Sequence, residues 1–300
     1  MVEWLDDSGE TVMTEFDGAA RPSTASRSAW LLVTDVDDTL LADLGRLHRQ
    51  TDASTAGSVI ARAEADDNAA FAQLAEAATM SNELILILNS SRPRDSVLRT
   101  LASRASVRRA ARRLNFAPDG LITAMGTEVL LGGGHDETWM RRFEGWDRAV
   151  VDEAMDQFAA YGCDPHADEL QSRFKASYAV PARLREDVIA AIEKTGQASR
   201  VVTSGADDFD VLPANAGKGE ATLYVARELG VPPDRLIVAG DSANDLDMFS
   251  VARHGIAVGN ARPELLEALE GDHVYRAAGR WSAGILEGLR HYGVLSDLQA

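Results

Sequence analysis

The sequence is poor in cysteine and has no long apolar run. One cysteine, Cys163, in 300 residues excludes an intramolecular disulfide and fits a reducing compartment. No stretch approaches the roughly 20 apolar residues that a membrane-spanning helix needs, and the first residues lack the basic-then-apolar pattern of a secretory signal. We therefore expect a cytoplasmic protein without a membrane partner.

Basic residues are scarce compared with acidic ones. The 30 lysines and arginines are outnumbered by 47 aspartates and glutamates, so the formal net charge is −17. Such a surface repels nucleic acid, and we expect no nucleic-acid partner. A phosphorylated small molecule would also approach against this field. A site for one would need its own positive charge from a metal, a lysine or an arginine.

The most informative stretch covers residues 30 to 39 and reads Trp-Leu-Leu-Val-Thr-Asp-Val-Asp-Asp-Thr. Its apolar, β-branched half is typical of a strand buried on both faces, as in a parallel sheet. Asp35 and Asp37 are two positions apart, so a continuing strand would place both carboxylates on one face. Their mutual repulsion is relieved if a cation lies between them, and oxygen ligands suit Mg²⁺. The alternative is an acidic loop after a core strand.

Three later stretches place polar groups at the edges of other predicted elements. Residues 84 to 92 form an apolar run that ends in Asn-Ser-Ser-Arg, and Gly-Lys-Gly at 217 to 219 opens a helical pattern. Residues 236 to 249 begin with a third apolar run, Leu-Ile-Val-Ala, which is followed by Gly-Asp-Ser-Ala-Asn-Asp and then a helical pattern. In open parallel sheets, active-site residues lie at the carboxyl ends of the strands. We therefore expect these groups to meet Asp35 and Asp37 at one edge of a sheet.

Each of these residues also has an ordinary structural explanation. Ser90 could cap a helix, and Lys218 could be a solvated lysine at a helix end. Asp241 could be another cap, and Asp245 a surface residue. The ordered combination of all four stretches favours a catalytic site over four separate structural roles.

The four stretches resemble the motifs of the haloacid dehalogenase superfamily of phosphohydrolases. Those motifs are Asp-x-Asp-x-Thr, then Ser or Thr, then Lys, then Gly-Asp-Ser-x-Asn-Asp, and all occur here in that order. The resemblance implies an α/β fold: a Rossmann-like parallel sheet core with an inserted α+β cap domain. It also implies a phosphoric monoester hydrolase that depends on Mg²⁺.

Phosphate-monoester hydrolysis is among the slowest uncatalysed reactions, and a carboxylate nucleophile divides it into two steps. Asp35 is our candidate nucleophile, through an aspartyl phosphate. Asp37 would protonate the leaving oxygen and then deprotonate the attacking water. Asp35 and Asp241 would bind Mg²⁺ by side chain, and Asp37 through its backbone carbonyl.

Four more residues complete the predicted core site. Ser90 would donate a hydrogen bond to a phosphoryl oxygen, and Lys218 would balance the acidic cluster and contact the phosphate. Asn244 and Asp245 would orient the ligands and waters around the cation.

A closer resemblance is to the sucrose-phosphate phosphatases, over about residues 30 to 295. It rests on Leu-Ile-Thr-Ala-Met-Gly-Thr-Glu-Val at 121–129, Phe-Lys-Ala-Ser-Tyr at 174–178, the stretch 203–213 and the C-terminal stretch 283–293. The resemblance implies that the core holds the phosphate while the cap closes over the sugar. The substrate-binding residues that it implies are Ser91, Arg92, Lys175, Ser177 and Asp207 or Asp208.

Two departures from the family pattern bear on the substrate. The family has Thr-Gly-Arg where this chain has Ser90-Ser91-Arg92, and serine can still donate the hydrogen bond. The polar residues just before Phe174 also differ, and the sugar contacts lie there. Sucrose 6-phosphate is our first substrate, and another glycosyl phosphate, such as mannosylfructose phosphate, or an amino-sugar phosphate is the alternative. A non-catalytic module that docks on a sucrose-phosphate synthase, and a phosphomutase, are weaker alternatives.

The element pattern divides the chain into a leader, a core and a cap. We predict a disordered leader over 1–28, a catalytic core over 29–125 and 210–300, and a substrate-specificity cap over 126–209. An arginine-rich helix over about 95–114 is expected to be a solvated face, with a subunit contact as the alternative. The protein could be a monomer or a dimer.

Overall fold

The computed structural model describes residues 4–5, 11–13, 29–52, 54–81 and 83–295. Most of the leader predicted over 1–28 lies outside these residues. Its described parts are strands β1 (Trp4–Leu5) and β2 (Thr11–Met13), which pair antiparallel.

The centre of the molecule is an eight-stranded sheet in the order β14-β13-β12-β3-β4-β5-β6-β7. Its strands are β3 (Trp30–Thr34), β4 (Leu84–Asn89), β5 (Gly120–Thr123), β6 (Glu128–Leu131), β7 (Gly134–His135), β12 (Leu236–Gly240), β13 (His254–Ala257) and β14 (Val274–Arg276). The six strands from β14 to β5 are parallel, and β6 and β7 are antiparallel additions. The inner strands are buried throughout, which explains their continuous apolar runs.

Helices cover both faces of this sheet, as the α/β prediction required. The helices of the core are α1 (Leu44–Gln50), α2 (Ala56–Met80), α3 (Arg94–Ser103), α4 (Ala105–Leu114), α8 (Lys218–Glu228), α9 (Leu246–Val251), α10 (Pro263–Ala268) and α11 (Trp281–His291). The arginine-rich helix is two helices, because the chain turns to extended backbone at Arg104. Arg104 is buried, so the solvated face that we expected does not include it.

A second, four-stranded sheet forms the cap, in the order β10-β11-β9-β8. Its strands are β8 (Asp164–Pro165), β9 (Ala176–Ala179), β10 (Ser199–Ser204) and β11 (Asp208–Pro213), with helices α5 (Glu137–Met140), α6 (Arg148–Asp156) and α7 (Arg185–Lys194) in the same insertion. The sheets extend past both limits that we predicted for the cap. Strands β6 and β7 belong to the core sheet beyond residue 126, and β11 belongs to the cap sheet beyond residue 209.

The cap is attached to the core by packing as well as by chain connections. One apolar cluster includes Val33 and Ile87 of the core sheet, Trp139 and Phe143 of the connection, and Phe174 of the cap. The rings of this cluster meet edge to face, with centroids 5.5 Å and 5.6 Å apart. This packing defines the surface that the cap presents to the core.

Two glycines allow the segment that returns from the cap to the core to pass close to the turn between β5 and β6. Gly126, at the turn between β5 and β6, has φ +84°, and a Cβ there would collide with the carbonyl of Gly217. A Cβ on Gly217 would lie 2.5 Å from Nη1 of Arg200 and 2.6 Å from Oδ2 of Asp247. Gly126 has no room for a side chain because the obstacle is backbone, whereas at Gly217 the obstacles are movable side-chain ends and the φ of +147° disfavours other residues.

None of the helices in the described part of the chain is both long enough and apolar enough to cross a bilayer.

Candidate active site

Three strand ends form the floor of the site. Strand β3 lies between β12 and β4 in the sheet, and all three are parallel. Asp35, Ser90 and Asp241 each follow the last residue of one of these strands, so their side chains meet at one edge. The structure therefore brings these three predicted residues together, as expected for the carboxyl ends of parallel strands.

Lys218 lies between two of the carboxylates. It is the first residue of α8, and its side chain is fully buried. Its Nζ donates to Asp35 Oδ1 at 2.6 Å and to Asp245 Oδ1 at 2.7 Å. Burial opposes its charge, but the two carboxylates outweigh burial and hold the pKa of Lys218 above its ordinary value. The alternative of a solvated lysine at a helix end is wrong.

Asp245 organises the loop that carries Asp241. Its Oδ2 accepts hydrogen bonds from the backbone N–H groups of Asp241, at 3.0 Å, and Ser242, at 3.2 Å. Its side chain is fully buried, so it is not a surface residue. Asn244 accepts a hydrogen bond from Ser242 Oγ at 3.1 Å. Asp245 thus fixes the backbone of its neighbour while it pairs with Lys218.

Asp35, Asp241 and Asp245 form a group that could hold a cation. Each offers an oxygen, and these oxygens lie within 4.8 Å of one another. Thr39 donates to Asp241 Oδ1 at 3.2 Å, whereas Asp241 Oδ2 is buried without a hydrogen-bond partner among the described residues. The side chain of Asp37 lies outside this group and pairs with Arg92, and the predicted binding through its backbone carbonyl stays a prediction. An orphaned carboxylate oxygen beside two further carboxylates fits a hard divalent cation.

The electrostatics of the group point the same way. Burial raises the pKa of Asp35 to about 7, although Lys218 acts against the shift. Burial, and after it the charges of Asp245 and Asp35, also raises the pKa of Asp241 well above its ordinary value. Both shifts reflect an excess of buried negative charge, which a bound cation would relieve.

Asp37 is held by Arg92 at the rim of the cavity. Arg92 Nε donates to Asp37 Oδ2 at 2.7 Å and Nη2 donates to Oδ1 at 3.2 Å, a bidentate pair. The backbone N–H of Arg92 donates to Ser90 Oγ at 3.1 Å, which leaves the hydroxyl proton of Ser90 available. Arg92 therefore connects two of the predicted catalytic residues.

The face of the cap sheet opposite Asp35 carries two ion pairs. Lys175 Nζ lies 3.3 Å from Asp210 Oδ1, and His166 Nε2 lies 3.3 Å from Asp208 Oδ1. Ser177 lies between them, opposite Asp210 in the antiparallel register of β9 and β11. The contact with Asp208 raises the pKa of His166, and that same contact lowers the pKa of Asp208.

A cavity of about 200 Å³ separates core and cap. Of the predicted residues, its walls include Asp35, Asp37, Ser91, Arg92, Lys175, Ser177, Asp208, Asp241 and Asn244. Asp207 does not line it: that residue is exposed on the turn before β11, and its carbonyl accepts from the Val180 N–H. Of the two aspartates left open by the sequence, Asp208 faces the cavity.

The model of the family described as sucrose-6F-phosphate phosphohydrolase matches residues 28–293. The chain belongs to this family. It is similar to probable sucrose-phosphatase 3a of Arabidopsis thaliana, with 30% identity over 217 residues that cover 65% of this chain and 49% of that protein. It is also similar to mannosylfructose-phosphate phosphatase of Agrobacterium fabrum, with 30% identity over 155 residues, 50% of this chain and 62% of that one.

A solved structure agrees with the family and the fold. The sucrose-phosphatase of Synechocystis sp. PCC6803, crystallised with sucrose and phosphate, superimposes with a TM-score of 0.69 at 25% identity. The match covers 89% of this chain and 99% of that one. By contrast, the chain spans about half the length of the plant sucrose-phosphatase that it matches.

Several residues that line the cavity were not predicted from the sequence. They are Asp38, Asp43, Arg46, His166, Leu170, Ser204, Asp210, Ser242 and Arg262. Asp210 could have been found, because the period of two in a strand puts it on the same face as Asp208. His166 and Arg262 gave no such signal, because each reaches the cavity from a loop whose path depends on the tertiary fold.

Proposed function

We propose that this protein is a phosphatase that hydrolyses a sugar phosphate, with sucrose 6-phosphate as the first candidate substrate. The observation that carries the proposal is the buried cluster of Asp35, Lys218, Asp241 and Asp245, which faces a cap wall of ion-paired polar groups across one cavity. The core side of this cavity suits a phosphate and the cap side suits a polyol.

The core residues divide the chemistry as follows. Asp35 attacks phosphorus and the sugar oxygen leaves, which produces an aspartyl phosphate that water then hydrolyses. Lys218 holds the carboxylate of Asp35 in position and offsets the negative charge around the phosphoryl group. Ser90 has a hydroxyl proton free to donate to a phosphoryl oxygen.

Asp37 is the acid and base of the proposed reaction. It donates a proton to the leaving sugar oxygen and later accepts one from the attacking water. Both of its carboxylate oxygens are held by Arg92, so this pair has to open before Asp37 can reach the substrate. The released guanidinium of Arg92 would then be free to bind the phosphate or the sugar.

Mg²⁺ is the cation that we propose for the acidic cluster. Asp35 and Asp241 would hold it by side chain, and Asp245 and Asn244 would keep these ligands in place. When bound, Mg²⁺ supplies positive charge against the phosphoryl oxygens.

The cap wall supports recognition of sugar hydroxyls. Lys175 and His166 offer donors, and Asp208 and Asp210 offer acceptors, all on one face of the cap sheet. Lys175 donates to Asp210, whereas Nε2 of His166 has no hydrogen-bond partner among the described residues and could bind a hydroxyl. A cavity of about 200 Å³ is below the roughly 300–1,000 Å³ of ordinary ligand sites. We propose that the cap moves away from the core to admit a disaccharide phosphate.

Mannosylfructose phosphate is the second candidate substrate. The similarity to a mannosylfructose-phosphate phosphatase favours it, and the core chemistry would be unchanged because the two substrates differ at the end bound by the cap.

Phosphate release with Mg²⁺ from a panel of sugar phosphates tests the proposal. We expect the highest kcat/KM for sucrose 6-phosphate, and a decrease of at least about 10⁴-fold in Asp35→Asn. A higher kcat/KM for another glycosyl phosphate would replace the substrate but retain the chemistry. If no phosphate is released from any sugar phosphate, the enzymatic function is rejected, and a non-catalytic module that docks on a sucrose-phosphate synthase is favoured.

A further inference from the structure

Arg262 is fixed beside the acidic cluster by its backbone. It lies in the loop between β13 and α10, and its N–H donates to the carbonyl of Asp241 at 2.7 Å. The two residues are 21 positions apart in the sequence, so this bond joins two separate loops of the core. Because the backbone of Arg262 is tied to the residue that offers the orphaned oxygen, its side chain starts from a defined position next to the proposed cation site.

The guanidinium acts on Asp241 through charge without blocking its free oxygen. Arg262 Nε lies 3.7 Å from Asp241 Oδ2, which is too long for a hydrogen bond but well inside Coulomb range. Both atoms are buried, and neither has a hydrogen-bond partner among the described residues. A further ion pair, from Nη1 to Glu264, spans 3.9 Å. The oxygen therefore stays available to a cation while it faces a fixed positive charge.

The same guanidinium lies beside the cap. A Cβ built on Gly205, in the turn between β10 and β11, would lie 3.2 Å from Arg262 Nη1, so the guanidinium is close to this turn. Asp208 follows the turn and lines the same cavity as Arg262, whose charge helps to lower the pKa of Asp208. Arg262 is thus a core residue that lies next to the cap turn beside the proposed sugar-binding wall and faces a proposed cation ligand at the same time.

We propose that Arg262 is a positioning residue that weakens cation binding at Asp241 and, in exchange, orients the cap turn and Asp208 for the sugar. The proposal rests on the proposed function. It predicts opposite effects on two measurable affinities when the charge is removed. A residue with a merely structural role would weaken both.

The test compares Arg262→Gln with the wild-type protein by titration calorimetry with MgCl₂ and by steady-state kinetics. Removal of a partly exposed charge beside the ligand should tighten cation binding about three- to fivefold. Loss of the contact with the cap turn should raise KM for the sugar phosphate by a similar factor. Arg262→Lys retains the charge and should restore the wild-type cation affinity, while KM stays raised because lysine lacks the planar fork.

Two further variants separate the two halves of the proposal. Gly205→Ala disturbs the cap turn, where φ is +59°, and retains the charge of Arg262, whose Nη1 has to move by only a few tenths of an ångström, so KM should rise while cation affinity changes little. Arg276→Gln removes an arginine that donates to the carbonyl of Leu266 instead, and it should change neither quantity.

The inference is overturned if Arg262→Gln binds Mg²⁺ with an affinity within twofold of wild type, or more weakly than wild type. It is also overturned if KM is unchanged in this variant, or if the wild-type protein binds no Mg²⁺. If the wild-type protein binds Mg²⁺ but releases no phosphate from any sugar phosphate, the proposed function fails, and the calorimetric comparison still decides whether Arg262 opposes the cation.

Discussion

The two walls of the cavity are built in different ways. On the core wall, the side chains of Lys218 and Asp245 are fully shielded from solvent, and the ion pairs of Lys218 are 2.6 and 2.7 Å long. On the cap wall, both ion pairs are 3.3 Å long; the side chain of Asp208 is 53% exposed, whereas Lys175 and Asp210 are buried. Short, buried contacts resist rearrangement, whereas a longer contact to an exposed carboxylate such as Asp208 exchanges partners at low cost.

This difference suits the two ends of the proposed substrate. A phosphoryl group is the same in every phosphate monoester, so its site gains from rigid, preorganised charge. Sugars differ in their hydroxyl groups, and a wall of exchangeable ion pairs can accept different arrangements of donors and acceptors. We therefore expect changes in the core wall to affect stability and kcat, and changes in the cap wall to affect KM.

The largest effect is expected for Lys218→Met. The change leaves two buried carboxylates without their shared ammonium, so the cation-free protein should lose about 3–5 kcal/mol of unfolding free energy and all phosphatase activity. Urea denaturation measures the loss, and Lys194→Met, at an exposed lysine of α7, is the matched control. A loss below about 1 kcal/mol would contradict the rigid description of the core wall.

Lys175→Met tests the cap wall at its most buried position. Loss of a charged hydrogen bond to the sugar should raise KM roughly 10- to 100-fold, with a much smaller change in kcat. Initial rates with sucrose 6-phosphate give both constants. A decrease in kcat with KM unchanged would mean that Lys175 acts on the transition state, and the contrast between the walls would fail.

Cation binding should depend on pH through the core wall. Because burial raises the pKa of Asp35 to about 7, the folded chain holds a proton between about pH 4 and pH 7 that the unfolded chain has lost. The cation-free protein should therefore lose stability as pH rises through this window, and added Mg²⁺ should raise Tm more near pH 8 than near pH 5. Thermal melts with and without MgCl₂, at matched ionic strength, test this. If Mg²⁺ shifts Tm equally at pH 5 and pH 8, Asp35 is not a ligand of the cation.

The smallest effect is expected for His166→Gln. The pKa of His166 is raised by Asp208, so the pair is fully present below about pH 6.5 and is lost as pH rises through the raised value. The variant should show KM increased about two- to fivefold near pH 6 and little changed near pH 9. His135→Gln, at an exposed histidine of β7, is the control. A pH-independent effect would show that only the shape of the side chain matters.

The parts predicted well from sequence are those set by local pattern. Strand β4 lies at Leu84–Asn89, as predicted, because an unbroken apolar run bounded by polar residues specifies a buried parallel strand. Asp35, Ser90 and Asp241 were placed correctly because each follows such a run directly. Parallel pairing of neighbouring strands then brings them together without any information about side-chain packing.

The parts that were missed depend on pairings between distant segments. Lys175 and Asp210 are 35 positions apart, and their contact follows from the register of β9 and β11, which the sequence does not reveal. The division of the arginine-rich helix at Arg104 has no proline or glycine to mark it. Strand β9 begins only at Ala176, because residues 172–175 form a turn.

The crossing of Gly126 and Gly217 has a consequence for protein engineering. A chimaera that joins this core to the cap of a relative would need glycine at both positions, because a Cβ on residue 126 would push the return connection away from the sheet and residue 217 has a φ of +147°. Lys218 directly follows Gly217, so such a displacement would move the ammonium group relative to Asp35. The choice of graft boundaries would therefore decide whether a transplanted cap yields a working phosphatase.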